Sequence, residues 1–372
     1  MSSRKLLLRS ACAVSCAILA TLGSSCATTG ATGEGDRNLP TVGVGPFRKL
    51  AADEVPGIAP FVLDDRVAIY REPAVLPGDL DSAILYAVGR QNGVDVIVRS
   101  RAEDGRAFFG TSGDFGKTPP AVLSPDLPWE GSSVSGPFVL RVNAEIVLYY
   151  AAAGGIGMAR SDDGLVFTKE RAPVLSRDPA SSWETTEVRA PSAYVLPDGH
   201  LRLLYASGSS IGEADSVDGV HFQRVDPDPS TPAIEPVLGP APPAAPGSLL
   251  PNERPPFDTA RVGDPCVLLR TSPTGRLHIR VLYTGADEAG ATAIGFAGRY
   301  GDKGFLDRQA APVYSVGAKE SAPALLEVSG GSYLYVQQDR RVDERLTYTA
   351  IAAAYAPGAV KLPIPVPFPD TP

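Results

Sequence analysis

The chain has 372 residues, 34 Lys and Arg against 42 Asp and Glu, a formal net charge of -8, a hydrophobic fraction of 44%, 38 Gly and 36 Pro. That length and hydrophobic fraction suit a folded globular protein with a sizeable core, and the glycine and proline content suits a fold dominated by turns. An acidic balance with no basic run argues against nucleic acid or anionic lipid headgroups as partners.

The first predicted element is a leader. Residues 1–25 combine a basic start (Arg4, Lys5, Arg9) with a mostly apolar or small run that is too short to cross a bilayer, the pattern of a secretory signal peptide. Cys26 follows Gly23-Ser24-Ser25 and resembles the lipid-modified cysteine of a bacterial lipoprotein signal, although Leu22 stands four residues before it where the usual pattern has three. Residues 26–45 read as a flexible tether. Cys12 and Cys16 leave with the leader and Cys26 is acylated, so Cys266 is the one cysteine left and no intrachain disulfide forms. Its setting, DPCVLL, is that of a buried inert thiol.

The body of the chain repeats itself. A nine-residue template recurs as WEGSSVSGP (Trp129 to Pro137), WETTEVRAP (Trp183 to Pro191) and FDTARVGDP (Phe257 to Pro265), with looser members around Pro73 and Pro323. Each has an aromatic followed by an acid, Val three before the Pro, and an apolar strand opened by the Pro. After the Pro come two β-like runs joined by turn residues, as in AYVLPDGHLRLLYAS. A third run carries Ile156-Gly157-Met158-Ala159, Ile211-Gly212-Glu213-Ala214 or Ile294-Gly295-Phe296-Ala297. A fourth follows the Asp-Gly turns at Asp104-Gly105, Asp163-Gly164 and Asp218-Gly219, each with a Phe three residues after the Gly. The unit is thus four short strands with a period of roughly 50 to 75 residues, and five units predict an all-β, five-bladed β-propeller over residues 46–358. A proline-rich excursion at about residues 225–256 and a proline-rich tail at 359–372 read as extended segments rather than domains.

Five units with a Pro-led first strand, together with the Ser-x-Asp-Gly-x-x-Phe turns, resemble the arabinanase, levansucrase and invertase superfamily of glycoside hydrolases and related carbohydrate-active proteins. The resemblance implies an active site in the axial funnel, lined by the innermost strand of each blade. It brings Arg71-Glu72, Ser135-Gly136, Arg189-Ala190, Gly263-Asp264 and Glu320-Ser321-Ala322 toward one opening. Glycoside hydrolysis needs one protonated and one ionised carboxyl group with pKa values pushed apart.

Glu72 stands immediately before the first Pro, where the resembling hydrolases have an Asp acting as base or nucleophile. Asp264 has the same offset in the fourth unit and reads as an orienting or pKa-tuning carboxylate; Glu187 and Glu320, four and three residues before their prolines, are the candidate acids. Gly136 and Arg189 occupy positions where those hydrolases usually have an Asp and a Glu, and a guanidinium there removes a proton donor. Arg71 and Arg189 are instead candidates for substrate binding, suited to carboxylates such as those of uronic acids. Trp129 and Trp183 share one register in two units and read as packing residues rather than sugar platforms. His200, His221 and His278 lack acids or cysteines at metal-ligand spacing, so no metal or other cofactor is expected; propeller axes can collect oxygen ligands for calcium, yet no residue pattern locates one.

Two readings follow. One is an exported, lipid-anchored propeller of the bacterial cell envelope, monomeric, that binds a carbohydrate, a cell-envelope glycan or a protein at its funnel without catalysis. The alternative is a glycoside hydrolase with two carboxyl groups facing each other across the funnel at roughly 5 to 10 Å. Arginines that neutralise both carboxylates would favour the first.

Overall fold

A computed structural model describes residues 45, 47–50, 61–63, 70–108, 119–245, 255–271, 275–341 and 347–358. The leader, Cys26, the tether, the C-terminal tail and residues 246–254 of the proline-rich excursion lie outside these. Strands β1 (Arg48–Lys49) and β2 (Phe61–Leu63) precede five antiparallel sheets. Blade 1 is β3 (Tyr70–Pro77), β4 (Ala83–Gln91), β5 (Val94–Ala102) and β6 (Ala121–Leu123). Blade 2 is β7 (Ser135–Val142), β8 (Glu145–Ala152), β9 (Gly155–Ser161) and β10 (Thr168–Lys169). Blade 3 is β11 (Arg189–Val195), β12 (Leu201–Ser207), β13 (Ser210–Ser216) and β14 (Gln223–Arg224). Blade 4 is β15 (Arg261–Thr271), β16 (Leu277–Ala286), β17 (Thr292–Tyr300) and β18 (Asp307–Arg308). Blade 5 is β19 (Ser321–Val328), β20 (Gly331–Arg341) and β21 (Thr347–Pro357), and β1 pairs with β21 to supply its outermost strand, Arg48 opposite Tyr355. The chain is a five-bladed propeller, and its first strand closes the ring.

The second strand of a blade reads as an unbroken apolar run because both its faces are buried. Along β8, Ile146, Leu148 and Tyr150 pack against blade 1, while Val147 and Tyr149 pack against blade 3. The strand period of two sends alternate residues to opposite neighbours, so the core is five clusters, one per blade interface. No single centre holds it.

The aromatic-acid pair of the template forms the outer rim of a blade. Trp129 stacks on Tyr150 at 5.9 Å, Trp183 on Tyr205 at 5.8 Å and Phe257 on Tyr283 at 6.2 Å. The adjoining acid is buried and doubly bonded: Glu130 accepts from Tyr150 (2.6 Å) and Lys169 (2.7 Å), Glu184 from Tyr205 (2.8 Å) and Arg224 (2.6 Å), Asp258 from Tyr283 (2.8 Å) and Arg308 (2.6 Å). This explains the glycine of Ile-Gly-x-Ala. A Cβ at Gly157 would lie 2.5 Å from the Tyr150 ring and 2.6 Å from Trp129, so only glycine admits the stack. The tryptophans are therefore packing residues.

The described part of the proline-rich excursion is less exceptional than its composition. Leu238 bridges Ile211 just as Leu175 bridges Ile156 and Tyr314 bridges Ile294, so residues 225–245 lie along the outside of blade 3. Cys266 is buried, and burial pushes its thiol up to about 11, which keeps it protonated and inert.

Candidate functional site at the channel mouth

Each inner strand begins with the same distortion. The residue before the Pro adopts a left-handed backbone in all five blades: Glu72 (φ 53°), Gly136 (φ 53°), Ala190 (φ 48°), Asp264 (φ 48°) and Ala322 (φ 49°). The pairing register with the next strand shifts at the same point in every blade, the mark of a β-bulge. Four of the five are not glycine, and each such residue stores about 1–3 kcal/mol that the surrounding ring must offset. The strain falls where the five strands converge.

These residues line one end of an axial cavity of about 600 Å³, walled by the five inner strands β3, β7, β11, β15 and β19. Glu72, Asp264 and Arg189 are all in its wall. Glu72 Oε2 accepts the Gly136 N–H at 2.5 Å and Oε1 accepts Arg71 Nε at 3.2 Å. Arg71 also donates to Asp95 at 2.7 Å, and Arg90 donates to the other Asp95 oxygen at 3.0 Å. Arg189 lies 3.5 Å from Asp264. Three guanidinium groups thus face three carboxylates.

Their titration follows from these contacts. Burial pushes Glu72 above the ordinary carboxylate range; Arg71 and the Gly136 amide oppose the shift, and the charge of Asp264 adds to it. Burial also works to raise Asp95, but the Arg71 and Arg90 guanidinium groups outweigh it and hold that carboxyl below its usual value. Arg71 is raised, its own burial being overcome by Asp95 and Glu72.

The remaining two candidate acids stand elsewhere. Glu187 is exposed, precedes β11 and is absent from the cavity wall. Glu320 is fully buried, accepts the Val316 and Ala318 amides at 2.8 and 2.9 Å, and does not reach the cavity. Val134, Val188 and Val262 occupy its place in blades 2 to 4, so Glu320 sits in a slot that the fold packs against the core. The template's Val three before the Pro was the available signal. Asp95 was missed because it lies in the β4–β5 hairpin, remote in sequence from any proline motif.

Gly136 has a further effect. A Cβ there would lie 3.3 Å from the Ala190 backbone, tighter than side chains ordinarily approach, and its φ disfavours other residues. A side chain there would ask the Ala190 backbone to give by a few tenths of an ångström. The Gly136 amide serves Glu72 instead. Among the described residues no cluster of three or more His, Cys, Asp or Glu could hold a metal ion.

Solved structures share this architecture. The chain is similar to BT0996 as seen in its complex with RGII (TM-score 0.59, 14% identity, 85% of this chain and 96% of that one). It is also similar to a glycoside hydrolase of Bacteroides ovatus (TM-score 0.59, 14% identity, 84% and 96% covered) and to a thermostable family-43 glycoside hydrolase (TM-score 0.53, 14% identity, 84% and 98% covered). No protein-family model matches the sequence, and no curated protein matches it. The chain therefore has the five-bladed propeller fold of glycoside hydrolases, and at this identity the likeness concerns the fold alone.

Proposed function

We propose that this chain is an exported, lipid-anchored propeller of the cell envelope that binds a carbohydrate at the channel mouth without hydrolysing it. Export and the anchor at Cys26 rest on the leader sequence. The carbohydrate rests on the glycoside hydrolase fold and on a mouth rich in carboxylate and guanidinium groups, which pair well with sugar hydroxyls. One observation carries the absence of turnover: each mouth carboxylate is tied to an arginine, and Gly136 gives an amide where a second acid would stand. Arg71 is spent on Asp95 and Glu72, and Arg189 on Asp264, so a ligand meets paired rather than free charges.

A glycan panel tested for binding and for hydrolysis, with Glu72→Gln and Asp264→Asn beside the wild type, decides the matter. Saturable binding, weakened about tenfold or more by Asp264→Asn and without product, supports the reading. Turnover that disappears in Glu72→Gln would establish the alternative, a glycoside hydrolase. That alternative has its own observation, since burial pushes the Glu72 carboxyl up and a raised carboxyl is what a proton-donor role requires. Incorporation of labelled fatty acid in cells, abolished in Cys26→Ser, tests the anchor.

A further inference from the structure

The mouth is one end of the cavity, and the cavity continues down all five inner strands. Below Glu72 and Asp264 its wall includes Val75, Phe138, Leu140, Val195, Leu268 and Leu325. Five of these are only half-buried although they stand on the innermost strands, Leu325 being the buried one, so their free surface faces the channel. Among the described wall residues charge returns only at the far end, with Arg141 and the paired Arg270 and Glu327. The Val267 amide donates to Ser192 Oγ at 2.9 Å, the Ala322 amide to Thr284 Oγ1 at 2.9 Å, and the Tyr194 hydroxyl turns away to Glu213. The apolar side chains that face the channel gain most from an apolar occupant.

We propose that this sleeve is a subsite for an extended apolar group, and that the ligand is an amphiphilic glycoside with its sugar at the mouth and its alkyl or aryl aglycone in the channel. This rests on the mouth being a sugar site. The head is uncharged, because three guanidinium groups already balance three carboxylates there. A cavity of about 600 Å³ lies within the size range of small-molecule sites.

The test is calorimetry of the full chain with methyl, butyl, hexyl and octyl β-glucosides below their micelle concentrations, beside free glucose. Affinity should rise by about fourfold at most for each methylene that enters the sleeve. The rise should vanish in Leu268→Asp and shrink several-fold in Val195→Thr, which keeps the side-chain shape and guards against misfolding. A flat series with folded protein, or a rise unchanged in both variants, overturns the proposal. Binding in the glycan panel with a flat alkyl series removes the sleeve alone, whereas loss of both removes the sugar site with it.

Discussion

Four of the five blade interfaces solve one problem in two ways. At three of them a tyrosine from one blade donates to the glycine carbonyl in the turn of the next: Tyr86 to Gly164 (2.9 Å), Tyr149 to Gly219 (2.9 Å) and Tyr335 to Gly105 (2.5 Å). Between blades 3 and 4 the tyrosine is replaced by Leu204, and the turn after β17 has no Asp-Gly. Buried ions take over. Arg299 donates to both oxygens of Glu213 at 2.8 and 2.7 Å, Tyr194 donates to Glu213 as well, and Arg202 stands 3.5 Å from it. Arg299 and Arg202 also reach the Asp302 carbonyl, at 3.1 and 3.3 Å, the first from within blade 4 and the second from blade 3, so that Arg202 holds the next blade's turn. A neutral hydroxyl and a charged cluster do the same job, but only the cluster becomes a liability when one member is lost, because its partners are left charged and dry.

That difference predicts the largest effect for Glu213→Met, which installs the residue blade 2 carries at this position, Met158. It should cost about 3–5 kcal/mol in urea unfolding, because Arg299 loses its buried counter-charge, whereas Arg202 keeps Asp215 at 2.6 Å. Adding Arg299→Leu should recover most of that loss, and failure to do so would mean that the cluster stabilises by more than mutual neutralisation. Tyr149→Phe should cost less, about 0.5–1.5 kcal/mol, and a similar loss for Tyr86→Phe would establish that the hydroxyl contacts are equivalent.

The smallest effect concerns acid. Asp163 is held below the ordinary range by the Leu165 and Val166 amides, and Asp218 by the amide and imidazole of His221 and the Val220 amide. At Asp104 burial opposes the shift, but the Arg106 and Ala107 amides outweigh it. A carboxyl depressed on folding contributes stability that is present above its unfolded pKa of about 3.9 and is lost as pH falls through the folded value. Amide exchange in these three turns should therefore quicken below about pH 4, while the turn of blade 4 follows a different course. Uniform behaviour of all four turns would remove the distinction.

The blades were legible in the sequence because each repeats residues with a fixed geometric duty: the Pro that opens the inner strand, the Trp-Glu pair of the rim, the glycine that admits the stacked ring. Glu72 and Asp264 could be placed at the mouth for the same reason, since both keep one offset from that Pro. Glu320 looked equally acidic, but it stands three residues before its Pro rather than one, ahead of β19, and it holds a valine's position against the core. Glu213 could not be read at all. It occupies a core position filled by Met158 and Phe296 in neighbouring units, and its partners come from two blades. Such charges are specified by contacts between repeats, which a repeat pattern does not encode.

Ring closure by β1 has a consequence in time. The strand pairs with β21, near the opposite end of the described residues, so during synthesis Arg48 and Lys49 emerge first and wait for their partner until four blades have been made. Contacts of such sequence separation form late and slowly. The first blades can assemble pairwise as they appear, but the circle remains an open arc, with two blade faces uncovered, until the final sheet arrives.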